Sequence, residues 1–338
     1  VCDGIRGSAV NGSTVNGSDV PTDVQALVLR QSLELMITRA LLEPLSQLMH
    51  VDLSGARNLV VQEDAFSGAT LQAPDSVAAV INMSYSVNVT LQQYAFDECQ
   101  LVGGQGAAAV LDLSFCDQVN LQAYALHAMQ LTGGDEGGAA VITFASSRAV
   151  NMDQNVLDSM TLTGGDIYAR SAPGGPAMLD CAGVSDFFAP DEALARVVLR
   201  GGDGSPAFPG GDALLLFDGG RDVELGPESA VHMKLQGGQG SGGGRATLSF
   251  DDCIGLSLDF HAFESLAVTG GDSITVEPAG AAAISFVRAQ HVALSTPLYA
   301  VVIRGGTGAY FGGGATLNLT LAADVVCYVN TFVFLILV

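Results

Sequence analysis

The apolar positions of this chain repeat in blocks of 30 to 37 residues, and most blocks end in a Gly-Gly pair. The pairs stand at 103–104, 133–134, 164–165, 201–202, 237–238, 270–271 and 305–306. Within a block, apolar and polar residues alternate in short runs such as ATLSF and LSLDF, which is the period of a β-strand. Each block therefore predicts three short strands separated by corners.

The blocks align without gaps on one apolar anchor, which follows a second apolar position by six residues. The anchors are Leu59, Val89, Val119, Val150, Phe187, Val223, Leu256 and Val292. The earlier positions are Leu53, Met83, Leu113, Phe144, Cys181, Phe217, Phe250 and Phe286. Three residues before the anchor stand mostly small residues: Ala56, Ser86, Cys116, Ser147, Val184, Gly220, Cys253 and Ala289. Such a unit cannot bury its own apolar face, but stacked copies share one core, so the repeat predicts a solenoid.

Over residues 48–325 this pattern resembles the right-handed parallel β-helix superfamily, the pectin-lyase-like architecture. The resemblance implies an all-β, right-handed parallel β-helix of about nine coils over residues 48–324. The Asn-Thr-Asp and Gly-His-Gly motifs of the polysaccharide hydrolases with this architecture are absent, so no catalytic residues are carried over. The AFDEC segment also resembles leucine-rich repeats of the BspA-like type, but those repeats are shorter and lack the third, glycine-rich segment.

The two ends of the chain depart from the repeat. Residues 1–20 predict a flexible arm. Residues 21–47 begin with a proline and carry apolar residues at roughly helical spacing, which predicts a helix capping the first coil. Residues 325–338 carry no charge and are too few for an ordinary membrane span. This tail is open to three interpretations: a truncated last coil, the start of a membrane or lipid-anchor signal, or an oligomer interface.

The net charge of the chain limits the classes of molecule that it can bind. The net charge is −22, from 35 acidic and 13 basic residues, and Lys234 is the only lysine. Nucleic acid binding needs clustered cations, so nucleic acid is excluded as a partner. Five N-glycosylation sequons favour a secreted or cell-surface protein; their acceptors are Asn11, Asn16, Asn82, Asn88 and Asn318.

Carboxylates near the last coils are the candidates for catalysis. The register of the blocks places Asp218 beside Asp251, and Asp252 beside Arg288. Two carboxylates one coil apart have the spacing required for acid–base chemistry on a glycosidic bond. The alternative is that the four residues form a surface ladder of structural contacts, and we favour this alternative.

Aspartates after the Gly-Gly pairs are the candidates for metal binding. Stacking brings Asp135, Asp166 and Asp203 into one row, and calcium prefers such oxygen ligands. The nine-residue glycine-aspartate pattern of calcium β-rolls is absent, which favours ordinary glycine turns instead. Calcium is the one cofactor that the sequence suggests.

The cysteines and aromatic residues suggest no further site. Cys116, Cys181 and Cys253 lie in separate coils, too far apart for disulfides, and predict buried free thiols. Tryptophan is absent and the seven tyrosines form no evident column, which argues against a sugar-binding platform.

From these patterns we expect a non-enzymatic, secreted or cell-surface β-solenoid for structure or adhesion, with an extracellular protein or glycan as partner. Self-association through the C-terminal edge of the solenoid is a further expectation. The alternatives are a carbohydrate-active lyase or hydrolase and a calcium-stiffened extracellular scaffold.

Overall fold

The protein is an all-β parallel solenoid in a computed structural model. The structure describes residues 25–43, 47–167, 172–295, 298–320, 322–327, 332–333 and 336–337. The predicted arm at 1–20, with the sequons of Asn11 and Asn16, lies outside these residues. In each full turn the chain contributes one strand to each of three parallel sheets, numbered here 1 to 3 in the order in which the chain visits them.

The strands are numbered in chain order. Sheet 1 contains β1 (Ala26–Val28), β3 (His50–Asp52), β6 (Ala79–Asn82), β9 (Ala109–Asp112), β12 (Ala140–Thr143), β15 (Ala177–Asp180), β18 (Ala213–Leu216), β21 (Ala246–Ser249), β24 (Ala282–Ser285) and β28 (Ala315–Asn318). Sheet 2 contains β2 (Leu35–Ile37), β4 (Arg57–Val61), β7 (Val87–Leu91), β10 (Asp117–Leu121), β13 (Arg148–Met152), β16 (Ser185–Ala189), β19 (Arg221–Leu225), β22 (Ile254–Leu258), β25 (Gln290–Leu294) and β29 (Ala323–Cys327).

Sheet 3 is built from the strands that precede the glycine-rich corners. It contains β5 (Thr70–Gln72), β8 (Gln100–Val102), β11 (Gln130–Thr132), β14 (Thr161–Thr163), β17 (Val198–Arg200), β20 (Lys234–Gln236), β23 (Ala267–Thr269), β27 (Val302–Arg304) and β31 (Ile336–Leu337). A separate pair joins β26 (Leu298–Tyr299) to β30 (Phe332–Val333). The solenoid makes about eight turns, one fewer than the nine expected. The eight anchored blocks form the strands from β3 to β27.

The predicted register is confirmed. The anchors pair in sequence from coil to coil in sheet 2, for example Val119 with Val150 and Val223 with Leu256. The second apolar column is fully buried and includes stacked rings, such as Phe217 on Phe250 at 5.1 Å between centroids. Side chains of equivalent positions therefore stack on one another along the axis, which is what brings distant residues together in this fold.

The predicted helical cap at 21–47 is wrong for the described residues. This segment forms β1 and β2, which pair with β3 and β4, and its described helix is only α1 (Arg39–Leu42). The apolar residues that suggested a helix also fit an alternation: Leu35 and Ile37 are buried, whereas Met36 between them is 44% exposed. Pairing with the first coil decides between the two patterns, because it satisfies backbone groups and buries apolar area together.

The described part of residues 325–338 continues the sheets. Strand β29 pairs with β25, β30 with β26, and β31 with β27. Of the three interpretations of this segment, these pairings fit a further coil of the solenoid.

Glycine backbones form a continuous hydrogen-bonded ladder at the corner between sheets 3 and 1. Each glycine N–H donates to the carbonyl of the preceding member at 2.8–2.9 Å, in the order Gly138, Gly165, Gly175, Gly202, Gly211, Gly238, Gly244, Gly271, Gly280, Gly306 and Gly313. A Cβ built on Gly202 would overlap the carbonyl oxygen of Gly165. The Gly-Gly pairs are therefore required by close approach between coils rather than by left-handed turns.

Left-handed backbone conformations recur in every coil at the corner between sheets 2 and 3, as they also do at the corner between sheets 1 and 2. One equivalent position in successive coils has φ of 50–60°, and its residues are Asp64, Tyr94, Tyr124, Asn155, Glu192, Glu228 and His261. Because none of them is glycine, each turn presents a full side chain at this corner. The corner therefore carries a column of mostly polar and aromatic side chains.

Candidate functional site

The candidate catalytic pair Asp218 and Asp251 lies side by side, as the register predicted. Asp218 Oδ1 accepts a hydrogen bond from Ser249 Oγ at 2.5 Å and another from the Asp251 N–H at 3.0 Å. Asp251 Oδ1 does the same one coil later, with Ser285 Oγ at 2.5 Å and the Val287 N–H at 2.7 Å. Each carboxylate thus binds the backbone of the following coil.

These contacts belong to a column of turn acceptors that runs along the end of sheet 1. In other coils the last residue of the strand accepts the N–H two residues later, and these acceptors are Asp52, Asn82, Asp112, Thr143, Asp180 and Asn318. This is the Asx-turn or its threonine equivalent. Serines occupy the position in β21 and β24, and there Asp218 and Asp251 supply the acceptor from the coil before.

The electrostatics of the pair are those of a partly buried carboxylate. Burial raises the pKa of Asp218, and the charges of Asp251 and Asp252 act in the same direction, against the hydrogen bonds from Ser249 and Asp251. A raised pKa is also the property that a general acid requires. The raised pKa is therefore compatible with a catalytic role and with a structural one. The hydrogen bonds to the following coil favour the structural role.

Asp252 and Arg288 also meet as predicted. The guanidinium of Arg288 donates to both carboxylate oxygens of Asp252, at 2.6 and 2.5 Å. This hydrogen-bonded pair holds the pKa of Asp252 below its usual range. Both side chains are more than half exposed, so the pair forms a rung on the surface between two coils.

The predicted aspartate row after the Gly-Gly pairs also binds backbone. Asp166 Oδ1 accepts the N–H of Asp203 at 2.7 Å, and Asp203 Oδ1 accepts the N–H of Gln239 at 3.0 Å. Arg200 in turn donates to Asp203 Oδ2 at 2.8 Å. Asp135 is exposed at the same corner. Like charges in this row are thus stabilised by N–H groups and by one arginine.

Histidines and carboxylates meet twice at the corner between sheets 2 and 3. His127 Nδ1 lies 2.6 Å from Asp97 Oδ1, and its Nε2 lies 3.8 Å from Asp158, which also accepts from Arg196 at 2.6 Å. The second group joins Glu228, His261 and Glu264, whose ligand atoms all lie within 4.8 Å of one another. Within the described chain, this is the group of three whose atoms are close enough to hold one metal ion.

The predicted free thiols are confirmed. Cys116, Cys181 and Cys253 are buried and unpaired, and so is Cys99. Cys116 Sγ donates to the Met83 carbonyl, in the way that the hydroxyls of Ser86 and Ser147 bind the coil before them. Burial raises the pKa of the Cys116 thiol to about 11. These cysteines act as small core residues with a weak donor, and not as nucleophiles or ligands.

The described sequons lie at the ends of two sheet 1 strands and within β7. Asn82 and Asn318 are turn acceptors at the end of sheet 1, and Asn88 Nδ2 donates to Asn58 Oδ1 at 2.8 Å. All three side chains are partly exposed.

Two surface grooves flank the glycine-rich corners. One, of about 580 Å³, lies between the insertions of successive coils and is lined by residues such as Pro206, Thr275 and Pro278. The other, of about 470 Å³, is lined by the first Gly-Gly pairs and includes Asp75 and Asp135. Neither groove is lined by the Asp218, Asp251, Asp252 or Arg288 set.

Two pairs of aromatic residues stack between neighbouring coils on the surface of the solenoid. Tyr94 stacks on Tyr124 at 5.4 Å, and Tyr85 stacks on Phe115 at 4.8 Å. The Tyr94–Tyr124 pair could have been found from the block alignment, because both residues stand five after the anchor. Stacked rings turn their faces to each other, so the faces between them are not open to a sugar.

In comparisons with known proteins, no family model, no curated protein and no solved structure matches this chain. Among the described residues, no helix is long and apolar enough to cross a membrane. The assignment therefore rests on the geometry of the chain itself.

Proposed function

We propose that this chain is a non-enzymatic β-solenoid scaffold, secreted or displayed at a cell surface, that presents its sides to an extracellular protein or glycan. The observation that carries the proposal is the use of the candidate catalytic carboxylates. Asp218 and Asp251 each accept two hydrogen bonds from the following coil through one oxygen. Groups engaged in this way support the stacking of coils rather than bond cleavage.

The sequons and the charge support an extracellular setting for the proposal. Asn82, Asn88 and Asn318 are partly exposed, and the net charge of −22 favours cationic or neutral partners over nucleic acid.

A carbohydrate-active enzyme is the second candidate function, and the raised pKa of Asp218 beside Asp251 is the observation in its favour. The test is a panel of acidic and neutral polysaccharides incubated with the glycosylated protein, with new reducing ends and unsaturated products as readouts. The scaffold proposal predicts no turnover above that of heat-denatured protein. Turnover that is abolished by Asp251→Asn, in a variant that melts like the wild type, would overturn it.

A calcium-stiffened scaffold is the third candidate, and the row of Asp135, Asp166 and Asp203 is its proposed ligand set. Melting the chelator-treated protein with and without millimolar calcium tests it. Because backbone N–H groups already bind Asp166 and Asp203, the plain scaffold predicts the same melting temperature in both. A rise with calcium that disappears in Asp166→Asn would favour the calcium scaffold.

A further inference from the structure

The corner between sheets 2 and 3 brings Glu228 and His261 together from successive coils. The Glu228 N–H donates to the Phe260 carbonyl at 3.1 Å, and the His232 N–H donates to the Glu264 carbonyl at 2.8 Å. This backbone register places Glu228 and His261 at the equivalent left-handed position of their coils, with φ of 50° and 56°. Glu264 stands three residues after His261 in the same coil.

The three side chains converge on one point. Glu264 Oε2 lies 2.8 Å from His261 Nδ1, and all three ligand atoms lie within 4.8 Å of one another. One ion at the centre of such a group would reach the three ligands with small side-chain rotations. His261 and Glu264 are partly buried, with 19% and 28% of their side chains exposed, and Glu228 lies on the solvent side of the site.

The imidazole ring is held in place on both faces. The ring of His261 stacks on Phe260, with centroids 3.7 Å apart, and on Tyr299, with centroids 4.6 Å apart. Stacking of both faces fixes the ring plane while leaving the nitrogens at its edge. Restricting a ligand in this way lowers the entropy lost on binding an ion.

Within the described part of the chain, the negative charge of Glu228 and Glu264 is not offset by an arginine, unlike the negative charge beside His127. Beside His127, Arg196 forms an ion pair with Asp158 at 2.6 Å. Among the described ion pairs, neither Glu228 nor Glu264 meets an arginine or lysine, and His261 is the partner of Glu264. Two carboxylates with one imidazole thus carry a net negative charge that a divalent cation would neutralise.

We propose that Glu228, His261 and Glu264 bind a divalent transition metal, with zinc as the best fit. Imidazole suits zinc and its neighbours, whereas calcium and magnesium prefer sites built wholly from oxygen. Three protein ligands leave a fourth position of a tetrahedral zinc for water. The ion adds a link between two successive coils that backbone hydrogen bonds already join at this corner.

The test is a calorimetric titration of the full glycosylated chain with zinc after chelator treatment, repeated with calcium. We expect one zinc ion to bind per chain and calcium not to bind at this site. We also expect a higher melting temperature with zinc than with chelator. Replacement of zinc by cobalt gives a visible spectrum that reports nitrogen and oxygen ligands.

Variants separate this site from binding elsewhere on an acidic chain. His261→Gln and Glu228→Gln should each weaken zinc binding by more than the roughly 10- to 100-fold that loss of an outer partner produces. His127→Gln, at the other histidine with two carboxylates, should bind zinc like the wild type. Equal melting temperatures in chelator show that each variant is folded, and Glu228→Gln on the surface is the one least dependent on packing. Absence of zinc binding, or binding that neither His261→Gln nor Glu228→Gln weakens, would overturn the proposal.

Discussion

At the residue scale, a set of aspartates in this protein act as hydrogen-bond acceptors for backbone N–H groups. Asp52, Asp112 and Asp180 accept from their own turn, whereas Asp218 and Asp251 accept from the turn of the next coil. Their positions were predictable from the block alignment. Their role was not, because a carboxylate that stacks on its neighbour has the same sequence pattern whether it binds substrate or backbone.

Asp218 offers the sharpest test of this role. Asp218→Asn keeps an oxygen that can accept from Ser249 and from the Asp251 N–H, and the amide oxygen of Asn82 already accepts a backbone N–H at the same end of sheet 1. The folded pKa of Asp218 is raised, so its charge destabilises the fold above that pKa. Asp218→Asn should therefore raise the melting temperature at neutral pH, with the gain vanishing as the pH falls below the unfolded pKa.

The matched control at this position is Asp218→Ala, which removes the acceptor and leaves the N–H of Asp251 without its bond. It should lower the free energy of unfolding by about 1–3 kcal/mol. If asparagine and alanine destabilise the protein equally, the acceptor role is contradicted.

At neutral pH, the effect of Asp52→Asn on stability should have the opposite sign to that of Asp218→Asn. Burial opposes its ionisation, but hydrogen bonds from Arg30 and Ser54, with the charge of Arg30, hold the pKa of Asp52 below its usual range. Its contribution to stability is present above the unfolded pKa and is lost as the pH falls through the folded pKa. Asp52→Asn should thus lower the melting temperature at neutral pH and have little effect in acid, as followed by circular dichroism.

Asp112→Asn serves as the comparison for Asp52, since it holds the same turn position without a described ion pair. A pH-independent loss in Asp52→Asn, equal to that of Asp112→Asn, would contradict the assigned role of Arg30.

At the scale of elements, the strands are short and are stabilised by pairing with equivalent strands in the neighbouring coils. Most described strands have three to five residues, and each pairs with its equivalents in neighbouring coils. The sequence predicted this pairing correctly because every block repeats the same apolar columns. It failed at 21–47, where no second copy was aligned and a helical spacing of apolar residues competed with alternation; these residues are Val24, Leu27, Val28, Leu35 and Leu42. The sequence showed the Gly-Gly pairs but not the ladder, because a glycine repeat looks the same whether it serves a turn or a close backbone contact.

The glycine ladder makes a direct prediction at this scale. Gly202→Ala places a Cβ against the carbonyl oxygen of Gly165, and backbone on both sides prevents relaxation. The expected loss in the free energy of unfolding is about 3 kcal/mol or more, measured by urea denaturation. Gly314→Ala, where a Cβ meets no atom within 4 Å, should change the free energy by less than about 0.5 kcal/mol. Similar effects of the two substitutions would contradict the ladder.

At the scale of the whole molecule, each structural and functional inference depends on the same register of coils. The register sets Asp218 beside Asp251, stacks the glycine corners, and brings Glu228 to His261 from consecutive coils. Sequence blocks were sufficient to predict this stacking, but they did not single out the Glu228 group. The pairing of a glutamate and a histidine at one block position, five residues after the anchor, was the signal that could have found it.

The measurement that tests this register most directly is a set of spin-label distances along one column of sheet 2. Asn120, Glu224, Ser257 and Ala293 occupy equivalent positions three, four and five coils from the first. Labels at Asn120→Cys and at each of the others, in a chain with Cys2 and Cys327 replaced by serine, report the spacing while the buried thiols stay unlabelled. Stacked coils predict distances that increase in that order by about 4.8 Å per coil. Distances that stay constant or change order along the series would contradict the parallel stack and the sites that rest on it.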